Sequence, residues 1–155
     1  MGVKEQLTKF NRIYKEMDKL YHDYAKACGL TDMTFWILYA LWEQGEGCTQ
    51  RELCEDWCYI SQSANSALKA LEKQGVIQMR FREDNRKSKG IYFTEEGRIY
   101  AEKLIAPVIR AELAAFEKMN PQDRKAMLDG LEKNSGFLKE QIQKIEENIL
   151  GENEK

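Results

Sequence analysis

Apolar residues recur at three- and four-residue steps through residues 4–28, where Phe10, Ile13, Tyr14, Met17, Leu20, Tyr21 and Tyr24 fall on one stripe of a helix that Gly29 stops. The next apolar block, MTFWILYALW (residues 33–42), is charge-free and reads as a buried helix. Thr31 or Asp32 caps it, and EQGEG closes it with two glycines suited to a helix end. A third, short helix starts at a Thr49 cap and runs through QRELCEDW. A fourth fits residues 61–74, capped by Ser61, with Ala64, Ala67, Leu68 and Leu71 inward and Gly75 as the stop. The period then changes to two: Ile77, Met79 and Phe81 alternate with Gln78, Arg80 and Arg82, and Ile91 and Phe93 flank Tyr92. This predicts a hairpin with a long, basic, flexible tip. Thr94 caps a fifth helix, with Glu95 and Glu96 at the positive end of its dipole, expected to reach about residue 119 with a kink at Pro107. Asn120 and Pro121 restart a last helix, whose Leu131, Leu138, Ile142, Ile145 and Ile149 form a seam that wants a partner helix.

The predicted fold class is mainly α with a small β-hairpin wing. Its order is helix, helix, short helix, helix, hairpin, helix, helix, and residues 49–94 read as a helix-turn-helix followed by a two-stranded wing. A chain of 155 residues is one domain long and buries a sizeable core without metal or disulfide staples.

Composition narrows the class. With 43% hydrophobic and 32% charged residues and only two prolines, the chain is that of a soluble folded protein rather than a disordered one. Its ten-residue apolar run falls short of the roughly 20 needed to cross a bilayer, so no membrane partner is expected. Lys4, Glu5 and Lys9 precede any apolar block, unlike a signal peptide, so a cytoplasmic location is expected. The four cysteines (Cys28, Cys48, Cys54, Cys58) then read as reduced thiols.

Charge is where the chain is uneven. The formal net charge is −2, yet between residues 69 and 89 seven basic side chains (Lys69, Lys73, Arg80, Arg82, Arg86, Lys87, Lys89) face three acids (Glu72, Glu83, Asp84), a local net of +4. Phosphate attraction needs only such a local excess. The second helix of a helix-turn-helix enters the major groove, and here its N-terminal end offers Gln62, Ser63, Asn65 and Ser66, with Lys69 and Lys73 further along. Gln and Asn can bond adenine through two hydrogen bonds. At the wing tip, Arg86 suits a narrow minor groove, and Lys87 and Lys89 suit phosphates. Thr49, Gln50 and Ser61, at the starts of the two helices, complete the candidate double-stranded DNA contacts.

The stretch TQRELCEDW…SQSANSALKALEKQGVI…REDNRKSKGIYFTEEG resembles the core of the MarR family of bacterial winged-helix transcription regulators. That core reads T-x-x-E-L-A…S-x-V…L-E-x-x-G-L-I, then an Asp/Arg-rich wing closing on L-T-x-x-G, and the likeness covers nearly the whole chain. It implies a winged helix-turn-helix lobe over residues 31–94 and an obligate homodimer formed by helices in residues 3–28 and 95–150. It also implies a roughly palindromic operator with half-sites about one helical turn apart. Repression relieved by a small-molecule effector or an oxidant would be the usual outcome. Thr49 matches the cap before the support helix, Asp84 and Arg86 lie in the wing motif, and Arg86 matches its minor-groove arginine. Asn85 replaces an acidic residue common there, Ser66 stands where many relatives have arginine, and Ser63-Ala64 replaces a Thr-Val pair. Base preference therefore does not transfer from a relative.

Other chemistry is weaker. Cys54 and Cys58 share a helical face, as a thiol sensor or half a metal site would, but such cysteines are more often core packing. Glu52, Glu55 and Asp56 would raise a thiol's pKa. The single histidine, His22, reads as a surface or packing residue, no C-x-x-C pair exists, and neither a metal nor a cofactor is expected. No glycine-rich phosphate loop or nucleophile elbow appears, so no enzyme is expected. The side chains Tyr14, Met17, Tyr21, Tyr24, Trp36, Tyr39 and Trp42 read mostly as core, and the resemblance implies an effector lodged between dimer helices and DNA-binding lobe, in a cavity that some of them would line. The acids Glu43, Glu46, Glu52, Glu55 and Asp56 read as a solvated face turned from the duplex. The rival reading is a winged-helix module that binds another protein, against which the basic wing argues.

Overall fold

Helix α1 (Val3–Ala27) starts where the Glu5 carboxylate accepts the Gly2 N–H at 2.8 Å, in a computed structural model that describes residues 1–57, 61–85 and 87–153, with side chains described to 150. The chain divides into two compact units, Met1–Ile109 and Arg110–Lys155.

In the first unit, α2 (Asp32–Gln44) is the central post. Thr31 Oγ1 caps it by accepting the Thr34 N–H at 3.1 Å, and Phe35, Ile37, Leu38 and Leu41 are fully buried. A helix covered on most of its circumference needs no polar stripe, which is why its sequence shows none. Around it pack α3 (Gln50–Trp57) through Leu53, and α4 (Ser61–Lys73) through Ala64, Leu68 and Leu71. Ser61, expected as a cap, is already the first residue of α4; the residue before it lies outside the described ones. Gly75, at φ 72°, ends α4 by letting its own N–H reach Glu72 O and the Val76 N–H reach Leu71 O, both at 3.0 Å.

Strands β1 (Ile77–Phe81) and β2 (Lys89–Phe93) pair antiparallel with Met79 opposite Ile91. A feature the sequence pattern hides joins them: Gly47 N–H bonds Ile91 O (2.8 Å) and Ile91 N–H bonds Cys48 O (2.9 Å), so the loop before α3 lies along β2 as a third rung. The alternation that predicted Phe81 inward stops one residue early. Ile77 is buried and Met79 half-buried, but Phe81 is 58% exposed because the hairpin has by then left the core.

Helix α5 (Glu95–Leu104) begins at Thr94, whose Oγ1 accepts the Gly97 N–H at 2.9 Å. The single kinked helix expected to residue 119 is two helices, α5 and α6 (Ala106–Lys118), parted at Ile105. Pro107 has no N–H to give the preceding turn, and the helix re-forms with Val108 N–H on Ile105 O at 3.0 Å. The Leu104 carbonyl thereby loses its helical donor and accepts instead the Tyr24 hydroxyl of α1 at 2.7 Å. Tyr24→Phe is expected to lower stability by about 1 kcal/mol, the net value of one such bond, read as a lower urea midpoint with an unchanged slope.

The stripe on α1 is divided. Tyr21 and Tyr24 pack on the core, with Tyr21 4.9 Å from the Trp36 ring, whereas Phe10, Ile13, Tyr14, Met17 and Leu20 are exposed. In the second unit, α7 (Pro121–Asn153) carries the predicted seam, and its Leu131, Leu138, Ile142, Ile145 and Ile149 are 44–56% exposed. Among the described residues no helix is long and apolar enough to cross a membrane.

Candidate nucleic-acid interface

The two-faced character of α4 follows from its sequence. Ala64, Leu68 and Leu71 turn into the core, so Gln62, Ser63, Ser66, Lys69 and Lys73 turn out, with Asn65 half-buried at the margin. Ser66 Oγ bonds back to Gln62 O at 3.2 Å, which occupies its proton and leaves its lone pairs outward. Gln62, Ser63 and Ser66 also line a groove of about 510 Å³ shared with Thr31, Met33 and Thr34 at the start of α2.

Two sequence candidates hold structure instead of facing outward. Thr49 Oγ1 accepts the Glu52 N–H at 3.2 Å while Glu52 Oε2 accepts the Thr49 N–H at 2.7 Å, a reciprocal cap on α3. Gln50 Nε2 donates to the Ser61 carbonyl at 3.3 Å and so ties the start of α3 to that of α4. Ser61 remains exposed.

On the wing, Lys87 and Lys89 are exposed. The Asn85 side chain accepts the Lys87 N–H at 3.0 Å, and Lys89 Nζ lies 5.5 Å from the centre of the Phe81 ring. Arg80 stacks its guanidinium 4.1 Å over Tyr92. Arg86, the sequence's choice for a minor groove, lies outside the described residues, as does Cys58.

Arg82 is not the free outward cation that strand alternation predicts. It is 26% exposed and engages Asp84 and Glu52 together. The Arg82 hydrogen bonds hold the Asp84 carboxyl below the usual range, and the Thr49 N–H, followed by Arg82, does the same for Glu52. Nor is the acidic run merely a solvated face. Glu46 accepts the Phe93 N–H and pairs with Arg98, and Glu52 caps α3, so both are structural. These acids, with Asp56, Arg80 and Arg82, line an open cleft of about 940 Å³ beneath the hairpin.

Two of the thiols are held away from the reactive thiolate form. Burial, then Glu52 and Asp56, pushes Cys48 up, and burial, then Glu55, pushes Cys54 up. His22 Nδ1 sits 3.0 Å from both Asp32 oxygens at the surface.

No family model matches this sequence, and no curated protein matches it. Solved structures do match in three dimensions. NMB1585, a MarR family regulator from Neisseria meningitidis, superposes with a TM-score of 0.74 at 21% identity over 90% of this chain and 97% of that one. The fold is that of the MarR regulators. CouR from Rhodococcus jostii RHA1, bound to p-coumaroyl-CoA, shares the MarR-type fold with a TM-score of 0.65 and 24% identity over 78% of this chain and 85% of its own. A mutant of S. aureus MepR bound to an oligodeoxyribonucleotide scores 0.52 at 19% identity, over 89% and 99% of the two chains. Within this MarR-type fold, α4 occupies the place of the second helix of the helix-turn-helix and β1–β2 that of the wing.

Proposed function

We propose that this protein is a sequence-specific, double-stranded-DNA-binding transcription regulator, a cytoplasmic repressor that works as a homodimer on a roughly palindromic operator and is released by a small-molecule effector. One observation carries the reading: an outward helix face of amide, hydroxyl and lysine side chains (Gln62, Ser63, Ser66, Lys69, Lys73) belongs to the same compact unit as a hairpin with exposed Lys87 and Lys89. Gln62 and Asn65 meet base edges, the lysines neutralise phosphates, and Arg86 enters the minor groove beside them. Residues 31–94 are the DNA-binding lobe, and residues 3–28 and 95–150 supply the dimer helices through the exposed apolar stripes on α1 and α7. That CouR was solved with p-coumaroyl-CoA supports an organic effector as the releasing signal. The protein assigned here is a switch, with no catalytic role for any residue.

Binding to fragments from the protein's own promoter region at two salt concentrations tests this. If Lys69, Lys73, Lys87 and Lys89 of both subunits meet phosphates, log affinity falls against log salt with a slope of about −7. Lys69→Ala with Arg86→Ala is expected to weaken binding while leaving the dimer whole. Binding that ignores salt would favour a protein-binding wing and defeat the proposal.

A further inference from the structure

Arg82 is a cation that the sequence offers to phosphate and the fold withholds. Its Nε and Nη2 donate to the two oxygens of Asp84 at 3.0 and 2.9 Å, a planar two-bond fork, while Nη1 donates to both oxygens of Glu52 at 3.1 and 3.2 Å. The two carboxylates come from different elements. Asp84 belongs to the wing tip, and Glu52 is locked into the cap of α3 by its bond from the Thr49 N–H. From the same cap, Gln50 reaches the Ser61 carbonyl at the first residue of α4. On the other side, the Arg82 N–H closes the tip on Ser88 O at 3.1 Å, and the Ser88 N–H returns to Asn85 O at 3.2 Å. A series of polar contacts thus runs from the wing tip through Arg82 to the start of the recognition helix.

Arg82 is the first residue beyond β1, and its N–H bond to Ser88 O is the last cross-strand bond before the tip. Whatever tethers the chain here determines where the tip cations stand relative to the α4 face. We propose that Arg82 is a positioning residue that sets the wing against the recognition helix through Glu52 and Asp84, so that wing and helix reach one DNA half-site together. The inference rests on the DNA-binding reading above. Its physical content is preorganisation: a tip already held in place loses less freedom on binding. Attraction by Arg82 itself is not the point, because two carboxylates within 3.2 Å outweigh its single charge.

That balance of charge provides a test with opposite signs. Asp84→Asn removes a negative charge near the duplex, so Coulomb's law alone predicts tighter binding, whereas loss of the clamp predicts weaker binding. Arg82→Lys keeps the charge but replaces the fork with a point charge that cannot serve both carboxylates in the same geometry. Each substitution is expected to weaken operator binding about tenfold and to abolish hydroxyl-radical protection at the flank the wing covers, with protection by the recognition helix retained. In the free protein each is expected to speed amide exchange of Arg82 and Ser88 while the core of α2 stays protected. Binding of Asp84→Asn equal to or tighter than wild type, or tip exchange unchanged in both variants, would overturn the proposal. Failure of the wild-type protein to retain any fragment would instead defeat the DNA-binding reading, and exchange in the free protein would still decide the clamp.

Discussion

Gly97→Ala is expected to cost this protein about 3 kcal/mol or more of stability, the upper range for forcing a group into packed structure, and to lower its Tm by roughly 6–12 °C. A methyl group at this position would stand 1.7 Å from the carbonyl oxygen of Val76 and 2.6 Å from its carbon. Nothing there can yield cheaply. The Val76 carbonyl accepts the Thr94 N–H at 3.1 Å, and Thr94 in turn caps α5 and bonds Gly75 O through its hydroxyl. To make room, the first turn of α5 must leave the end of α4 and the start of β1, which are buried through Leu71 and Ile77. The measurement is thermal unfolding by circular dichroism beside Gly130→Ala. That glycine has open space at its Cβ position and lies within α7, so its replacement is expected to be neutral or stabilising by up to about 1 kcal/mol. Equal Tm values for the two variants would show that the contact between Gly97 and Val76 is not as tight as described.

The second large effect is on assembly. Ile142→Asp with Ile145→Asp places two carboxylates in the α7 seam, and the proposed dimer is expected to fall to a monomer of 18.1 kDa in sedimentation. Operator binding is expected to drop by about a thousandfold or more, since a lone half-site keeps only one of two linked contacts. The winged unit should stay folded, because its core draws on α2, α4 and the hairpin. A variant that remains dimeric at micromolar concentration would remove α7 from the interface.

Much of the architecture was legible because local chemistry and burial point the same way. Thr49 and Thr94 are caps in the chain as they are in the pattern, and of the pair Thr31 and Asp32 it is Thr31 that caps α2, each accepting a backbone N–H three residues on. The outward face of α4 was legible too, since Ala64, Leu68 and Leu71 leave Gln62, Ser63, Ser66, Lys69 and Lys73 nowhere else to point. Other features had no local signature. The break at Ile105 sits before Pro107 rather than at it, because the helix re-forms on the Ile105 carbonyl and Tyr24, far away in sequence, takes the Leu104 carbonyl. The third rung on β2 comes from Gly47 and Cys48, and Gly90 allows it: a Cβ there would stand 2.7 Å from Gly47 O.

Charge divides in the same way. Seven basic side chains between residues 69 and 89 are a property of the chain itself, and so is the attraction to phosphate that they promise. Which of them remain free is not. Arg82 is drawn onto Glu52 and Asp84, Arg80 and Lys89 lie over the Tyr92 and Phe81 rings while still exposed, and Lys69, Lys73 and Lys87 stay exposed. The sequence by itself determined the threonine caps, the inward face of α4 and the local excess of positive charge, because these depend on spacings of a few residues. Only the tertiary structure decided that Glu52 lies beside Arg82, thirty positions away, since that pairing exists once α3 and the hairpin have packed on α2.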